Sequence, residues 1–458
     1  MIVKPPFPPR LADGVELLGE FKDSGYSKPP SLIRRADGQV IQLSRLLYLV
    51  ARRMDGRRGP VSIADLVSDD LGRVLSPGQV CYLIVAKLAP LGIVAGQRTA
   101  AAPPTASPLL SLRGRGTLLP ARAASGVGAL MRPLFHWPVI AGVITGVAAT
   151  DYWIFSVHGL AAAFGQILND PADLLLLALL TIASGAFHEC GHAAACRYGG
   201  ARPGRIGFGI YLVWPSFFTD VTDSYRLSRA GRLRTDLGGI YFNLIFVLAL
   251  ASLYAASKTQ LLLLVIALTH LEMLEQLLPF VRFDGYFILS DLVGVPDLFA
   301  RVVPVLRRGS SGGQHSSGDQ HDRSGAGLER RAQAVVTCWV ACVIPLLTLM
   351  LGYLLLHLPA ANRALWLSAS HSAGQMMTAL TARQYTAAGV NAIGAALALL
   401  SVAGSLFIAS GLARRAIAVA RRWSAGHRAR RLLAIAAAAG LVAGLVAFWA
   451  ADGQLRGW

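Results

Sequence analysis

Long stretches without a charged residue limit this chain more than any other feature. Apolar runs recur at about 137–157, 172–197, 236–256, 259–281, 332–357, 388–412 and 431–451. At 1.5 Å of rise per residue, each is long enough as a helix to cross about 30 Å of hydrocarbon. Backbone polar groups find no water in that layer, so such runs cross it as helices. The expected fold is mainly α: a polytopic membrane helix bundle of about seven spans, preceded by a small α+β winged-helix-like domain. A hydrophobic content of 54% and a mean hydropathy of +0.51 agree with that class.

Charge sets the expected orientation. The formal net charge is +18, from 43 Lys+Arg against 25 Asp+Glu. The arginines cluster between the apolar runs: before the first span, in 198–235 (Arg202, Arg205, Arg226, Arg229, Arg232, Arg234), in 282–331 (Arg301, Arg307, Arg308, Arg330, Arg331) and in 413–430 (Arg414, Arg415, Arg421, Arg422). The segments 158–171, Ser257-Lys258 and 358–387 are not comparably basic. With seven spans the basic loops fall on one side, which the positive-inside rule makes cytoplasmic. The expectation is a multi-pass protein of the cell membrane, embedded in the lipid bilayer, with its N-terminus cytoplasmic and Asp452–Trp458 outside. Basic residues do not alternate with aromatics as they do in nucleic-acid binders, so no nucleic-acid partner is expected. The five cysteines, Cys81, Cys190, Cys196, Cys338 and Cys342, show no spacing suited to a disulfide framework. Met1–Arg10 is Pro-rich and carries no recognisable cleavable signal.

Composition divides the chain into an amino-terminal domain (1–100), a linker rich in Ala, Pro and Ser (101–132), a membrane core (133–300), a low-complexity loop (301–331) and carboxy-terminal membrane helices (332–458). The Gly-Ser stretch 309–327 contains His315 and His321, expected to be solvated. In the amino-terminal domain, strand-like patterns cover Val15–Phe21 and Pro30–Leu43, with a turn at Ala36-Asp37-Gly38. Ser44 is expected to cap a helix through Met54, Ser62 a second helix to about Leu71, and Ser76-Pro77 opens a third.

Inside the second apolar run lies Phe187-His188-Glu189-Cys190-Gly191-His192. On a helix, residues four apart share a face, so His188 and His192 can both reach one metal ion. Glu189 lies beside that face, placed to take a proton from a water at the ion. Charged groups within a membrane helix cost about 2.5–3.5 kcal/mol each on insertion scales, which marks such positions as functional candidates. The helical angle of Cys190 points it away from the two histidines. A catalytic Zn2+ site commonly has three protein ligands, so one remains to be found. Glu272 and Glu275, Asp220 and Asp223, and Asp284 can each supply it. Pro279 interrupts helical hydrogen bonding and Gly285 relaxes the backbone, which lets Asp284 turn inward. Asp284 also reads as a helix cap or a partner for Arg282.

The layout of residues 10–95 resembles PqqD-like peptide-recognition domains. The resemblance rests on Pro9-Arg10-Leu11, on Asp37-Gly38 and Leu43 before the first helix, on Met54-Asp55-Gly56 after it, and on Leu88-Ala89-Pro90-Leu91-Gly92-Ile93-Val94. It implies capture of a leader peptide as an added strand lying against the third helix.

Residues 180–298 resemble the site-two protease family of intramembrane zinc metalloproteases, on His188-Glu189-Cys190-Gly191-His192, Gly239-Ile240-Tyr241-Phe242-Asn243 and Phe283-Asp284-Gly285. Asp220–Leu227 and Asp284–Leu292 are similar to the bacterial peptide zinc metalloprotease branch. The resemblance implies His188, His192 and Asp284 as zinc ligands and Glu189 as the group that activates water. It also implies Asn243 as a stabiliser of the oxyanion, although Asn243 reads equally as a polar contact between helices. Ile240 stands where the family often has proline, and Leu278 where it often has asparagine. The implied activity is zinc-dependent hydrolysis of a membrane-associated or leader-bearing peptide, in maturation of a ribosomally made peptide. Two alternatives stay open: cleavage of a membrane-anchored regulator, and a non-catalytic peptide transporter or immunity protein. The stretch Gly207–Trp214 is expected to offer an edge strand to the substrate or to pack as a re-entrant segment.

Overall fold

The structure, a computed structural model, describes residues 8–36, 39–96, 113–158, 171–211, 214–310 and 328–451. The turn residues Asp37 and Gly38, both loop histidines (His315 and His321) and Asp452–Trp458 lie outside the described residues.

Strands β1 (Glu16–Glu20), β2 (Ser31–Arg34) and β3 (Val40–Leu43) form an antiparallel sheet in that order. Helices α1 (Arg45–Arg53), α2 (Pro60–Leu71) and α3 (Pro77–Leu91) follow. The Ser44 hydroxyl caps α1 by accepting from the Leu47 N–H, and Ser76 with Gln79 forms a capping box on α3. α2 starts earlier than expected. Gly59 is its N-cap and Pro60 opens it, so Ser62 lies inside the helix. Val80, Ile84 and Leu88, at helical spacing on α3, close one apolar core with Ile33, Leu43, Val50 and Ile63.

The stretch expected as a linker is ordered over 113–131, where it forms β4 (Arg113–Leu119) and α4 (Ala121–Met131). β4 finds its partner only in β5, far along the chain, and so carries no local signal. Next come α5 (Trp137–Asp151) and α6 (Pro171–Tyr198), then β5 (Ile206–Tyr211) and β6 (Trp214–Thr219). The second sheet has the order β4-β5-β6. β5 is therefore paired on both sides, and the outer strands are β4 and β6, not the stretch that starts at Gly207.

A short helix, α7 (Arg229–Asp236), leads into α8 (Gly238–Ser257) and α9 (Gln260–Gln276). The run expected to span 259–281 makes a helix of 17 residues, ending just before Pro279. α10 (Asp284–Val293) and α11 (Val302–Ser310) precede α12 (Arg330–Thr381), α13 (Tyr385–Ser424) and α14 (Arg428–Ala451). α12 passes Pro345 and Pro359 without ending and absorbs most of the loop expected at 358–387. α13 likewise runs through Arg414, Arg415, Arg421 and Arg422. Six described helices are long and apolar enough to cross a membrane: Trp137–Ser156, Asp173–Tyr198, Gly238–Ser257 and α12 to α14. The molecule is a polytopic helical bundle with a small α+β region at its amino-terminal end.

Candidate metal centre

α6 carries His188 and His192 one turn apart, only 3% and 7% exposed, with their Nε2 atoms 3.1 Å apart. α8 crosses α6 at two glycines. A β-carbon on Gly238 would come within 2.6 Å of the Gly191 carbonyl oxygen, and one on Gly191 would strike the Gly238 carbonyl. Small residues permit that approach. Gly239, the next residue, leaves room for the His188 ring, which a methyl group there would strike.

Asp284 arrives from the other side. After α9 the chain folds back so tightly that a β-carbon on Gly285 would strike the Leu277 carbonyl. The Trp339 indole of α12 pins this turn by donating to the Pro279 carbonyl at 2.8 Å. Asp284 then opens α10, its Oδ2 lying 3.1 Å from His188 Nε2 and 3.4 Å from His192 Nε2. All three ligand atoms fall within 4.8 Å of one another, and no other such group occurs among the described residues.

The cluster fits a zinc ion. Ligand atoms about 2.0–2.2 Å from a tetrahedral centre are separated by about 3.3–3.6 Å, close to these spacings. His192 Nδ1 lies 2.8 Å from the Thr235 carbonyl oxygen. A carbonyl only accepts, so Nδ1 carries the proton and Nε2 turns a lone pair inward. Asp284 Oδ2 and His188 Nδ1 are buried with no hydrogen-bond partner among the described residues. Two ring nitrogens and a carboxylate oxygen held this close repel one another unless positive charge lies among them. The trio is compatible with Zn2+.

Glu189 is buried beside His188, and its backbone carbonyl accepts from the Thr219 hydroxyl at 2.9 Å, which ties β6 to α6. Asn243 stands one turn beyond Gly239 on α8. It is fully buried, and neither its amide nitrogen nor its oxygen has a partner among the described residues. The other candidate carboxylates stay out of the cluster. Asp220 bonds Thr222, Asp223 pairs with Arg226 at 2.6 Å, Glu272 accepts from Gln276, and Glu275 is exposed. Arg282 lies 3.5 Å from Asp297. Cys190 packs among apolar groups around Phe135 and Ala124, and all five thiols are free.

Sequence reasoning missed the support beneath the centre. Arg232, read as one more basic loop residue, is fully buried and donates to Asp291 Oδ1 at 2.7 Å. Removing one partner of such a pair costs about 3–5 kcal/mol, because the other charge is left stranded. Burial and the neighbouring Asp291 carboxylate push Asp236 well above the usual range. The available signal was Asp291 itself: a carboxylate within Ile288-Leu289-Ser290-Asp291-Leu292-Val293 needs a buried partner.

No family model and no solved structure matches the chain. Over 118 residues it is 28% identical to the protein named "Putative peptide zinc metalloprotease protein YydH" of Bacillus subtilis (strain 168). The match takes in 25% of this chain and 46% of that protein, so the chain spans less than half the length of this relative. A buried His-His-Asp trio in a membrane-helix bundle thus coincides with similarity to a protein named for zinc-dependent proteolysis.

Proposed function

We propose that this chain is an intramembrane zinc metalloprotease of the site-two type. The observation that carries the reading is the meeting of His188, His192 and Asp284 from two separate helices beside Glu189. These three residues would hold the ion. When bound, the ion polarises the scissile carbonyl and brings the pKa of water to about 7.

The chain's own residues do the rest. The Glu189 carboxylate takes a proton from the attacking water, whose oxygen bonds to the carbonyl carbon. The same carboxylate returns that proton to the amide nitrogen as the C–N bond breaks. The Asn243 amide donates to the carbonyl oxygen as it gains negative charge. Hydrolysis needs an extended peptide, and the outer edge of β6, tied to α6 through Thr219, is placed to hold one.

The substrate is a leader-bearing peptide made by the ribosome. The amino-terminal module would bind its leader along β3, an outer strand of its sheet. The arginines before the first span and those within 198–235, two spans later, support a cytoplasmic location for this module. In purified full-length protein, Glu189→Gln is expected to keep one zinc per chain and lose cleavage of a precursor peptide. Cleavage that survives the substitution removes the proposed chemistry.

A further inference from the structure

The turn between β1 and β2 is driven into the base of the metal centre. The Phe21 ring lies under the Arg232 guanidinium, 4.2 Å from ring centroid to carbon. Arg232 also donates to the backbone carbonyls of Lys22 at 3.1 Å and Leu227 at 3.0 Å. Asp23 accepts from the Arg229 N–H at 3.0 Å, and its carbonyl accepts from the Arg229 guanidinium. Gly25 donates to the Gly294 carbonyl at 2.9 Å and accepts from the Glu329 N–H at 2.9 Å. A side chain at Gly25 would strike the Val293 carbonyl.

Two elements are gripped here, and each supports a ligand. α7 carries Thr235 in its last turn, and the Thr235 carbonyl orients His192. α10 begins at Asp284 and ends at Val293, where Gly294 meets the turn. Arg232 on α7 and Asp291 on α10 join the two elements, with the Phe21 ring stacked against the Arg232 guanidinium.

We infer that the turn Phe21–Gly25 positions the metal ligands: docking of the amino-terminal module on the Arg232–Asp291 pair sets the distance between His192 and Asp284. Arg232 is a positioning residue, since it touches neither ligand. The module is then an integral support of the centre, and lifting it loosens metal binding without altering any ligand. This inference rests on the metalloprotease reading for its consequence, though not for its geometry. Outer-shell supports of this kind are worth about 10–100-fold in metal affinity.

The test uses full-length protein in detergent with Asp23→Ala, Gly25→Val and, as a control, Arg53→Ala, which breaks an ion pair elsewhere in the module. Two quantities are read: zinc retained against a chelator, and hydrogen exchange over residues 21–25, 228–237 and 284–294. The turn variants are expected to retain zinc about tenfold less tightly and to exchange faster in all three segments. Arg53→Ala is expected to match wild type. Arg232→Lys should recover part of the retention lost in Arg232→Ala. The inference fails if exchange rises at the turn alone while zinc retention is unchanged, or if neither variant raises exchange at the turn. A wild-type protein that takes up no zinc removes the metalloprotease reading instead, and the exchange data still decide whether the segments are coupled.

Discussion

The imidazole of His192 donates its Nδ1–H to the main-chain carbonyl of Thr235 across 2.8 Å, so its Nε2 keeps a free lone pair and, like the Asp284 carboxylate it faces, can only accept. With His188 Nε2 at 3.1 Å, the cluster has the donor set of a three-ligand zinc site. Asp284→Ala or His192→Ala should therefore drop zinc from about one ion per chain to a small fraction after a chelator wash. Elemental analysis of the purified protein measures this directly.

Gly239 is a steric prediction. A methyl group there overlaps the His188 ring, so Gly239→Ala must turn the imidazole or part the helices. Overpacking of this sort typically costs about 1–3 kcal/mol. Zinc retention should fall together with thermal stability, whereas Gly142→Ala on α5, where nothing lies within 4 Å of the added β-carbon, should change neither.

Asn243 separates two roles. Its amide is fully buried and has no partner among the described residues, so its loss breaks no hydrogen bond in this structure. An oxyanion donor is worth about 10²–10³ in kcat. Asn243→Ala should lower kcat by about that factor with zinc content and melting temperature near wild type. A fall in stability with kcat intact would assign the residue to helix packing.

The amino-terminal module should have an acid limit set in part by Asp55. Its carboxylate accepts from the backbone N–H groups of Arg57 at 2.9 Å and Arg58 at 3.0 Å, which hold its pKa below the ordinary 3.8. A lowered carboxylate pKa stabilises the folded state above the unfolded value and loses that contribution as pH falls through the folded one. Exchange protection of α1, corrected for intrinsic rate, should drop below about pH 4 in wild type. The contribution of residue 55 should not change over that range in Asp55→Asn.

The parts legible in the sequence were those written in local spacing. His188 and His192 lie one turn apart because four residues nearly complete a helical turn, and the Pro279 and Gly285 pair announced the fold-back that delivers Asp284. Ser44 and Ser76 capped their helices for equally local reasons. What stayed hidden depends on distant partners. Arg113–Leu119 reads as a basic linker until β5 pairs with it. Arg232 reads as a solvated loop charge until Asp291 and Phe21 close over it. The count of crossings turned on one run, since the apolar stretch at 259–281 ends as a helix of 17 residues ahead of Pro279. Gly207–Tyr211 had the alternation of a strand, but only the pairing shows that β6, and not β5, keeps an open edge.

Trp339 gives the molecule a built-in optical probe. Its indole N–H bonds the Pro279 carbonyl at 2.8 Å, and its ring meets Phe299 edge-on at 5.1 Å, which fixes the fluorophore to the bend that presents Asp284. With the remaining tryptophans changed to phenylalanine, the emission of Trp339 would report whether that bend stays fastened as ions and peptides come and go, in real time and without any attached dye.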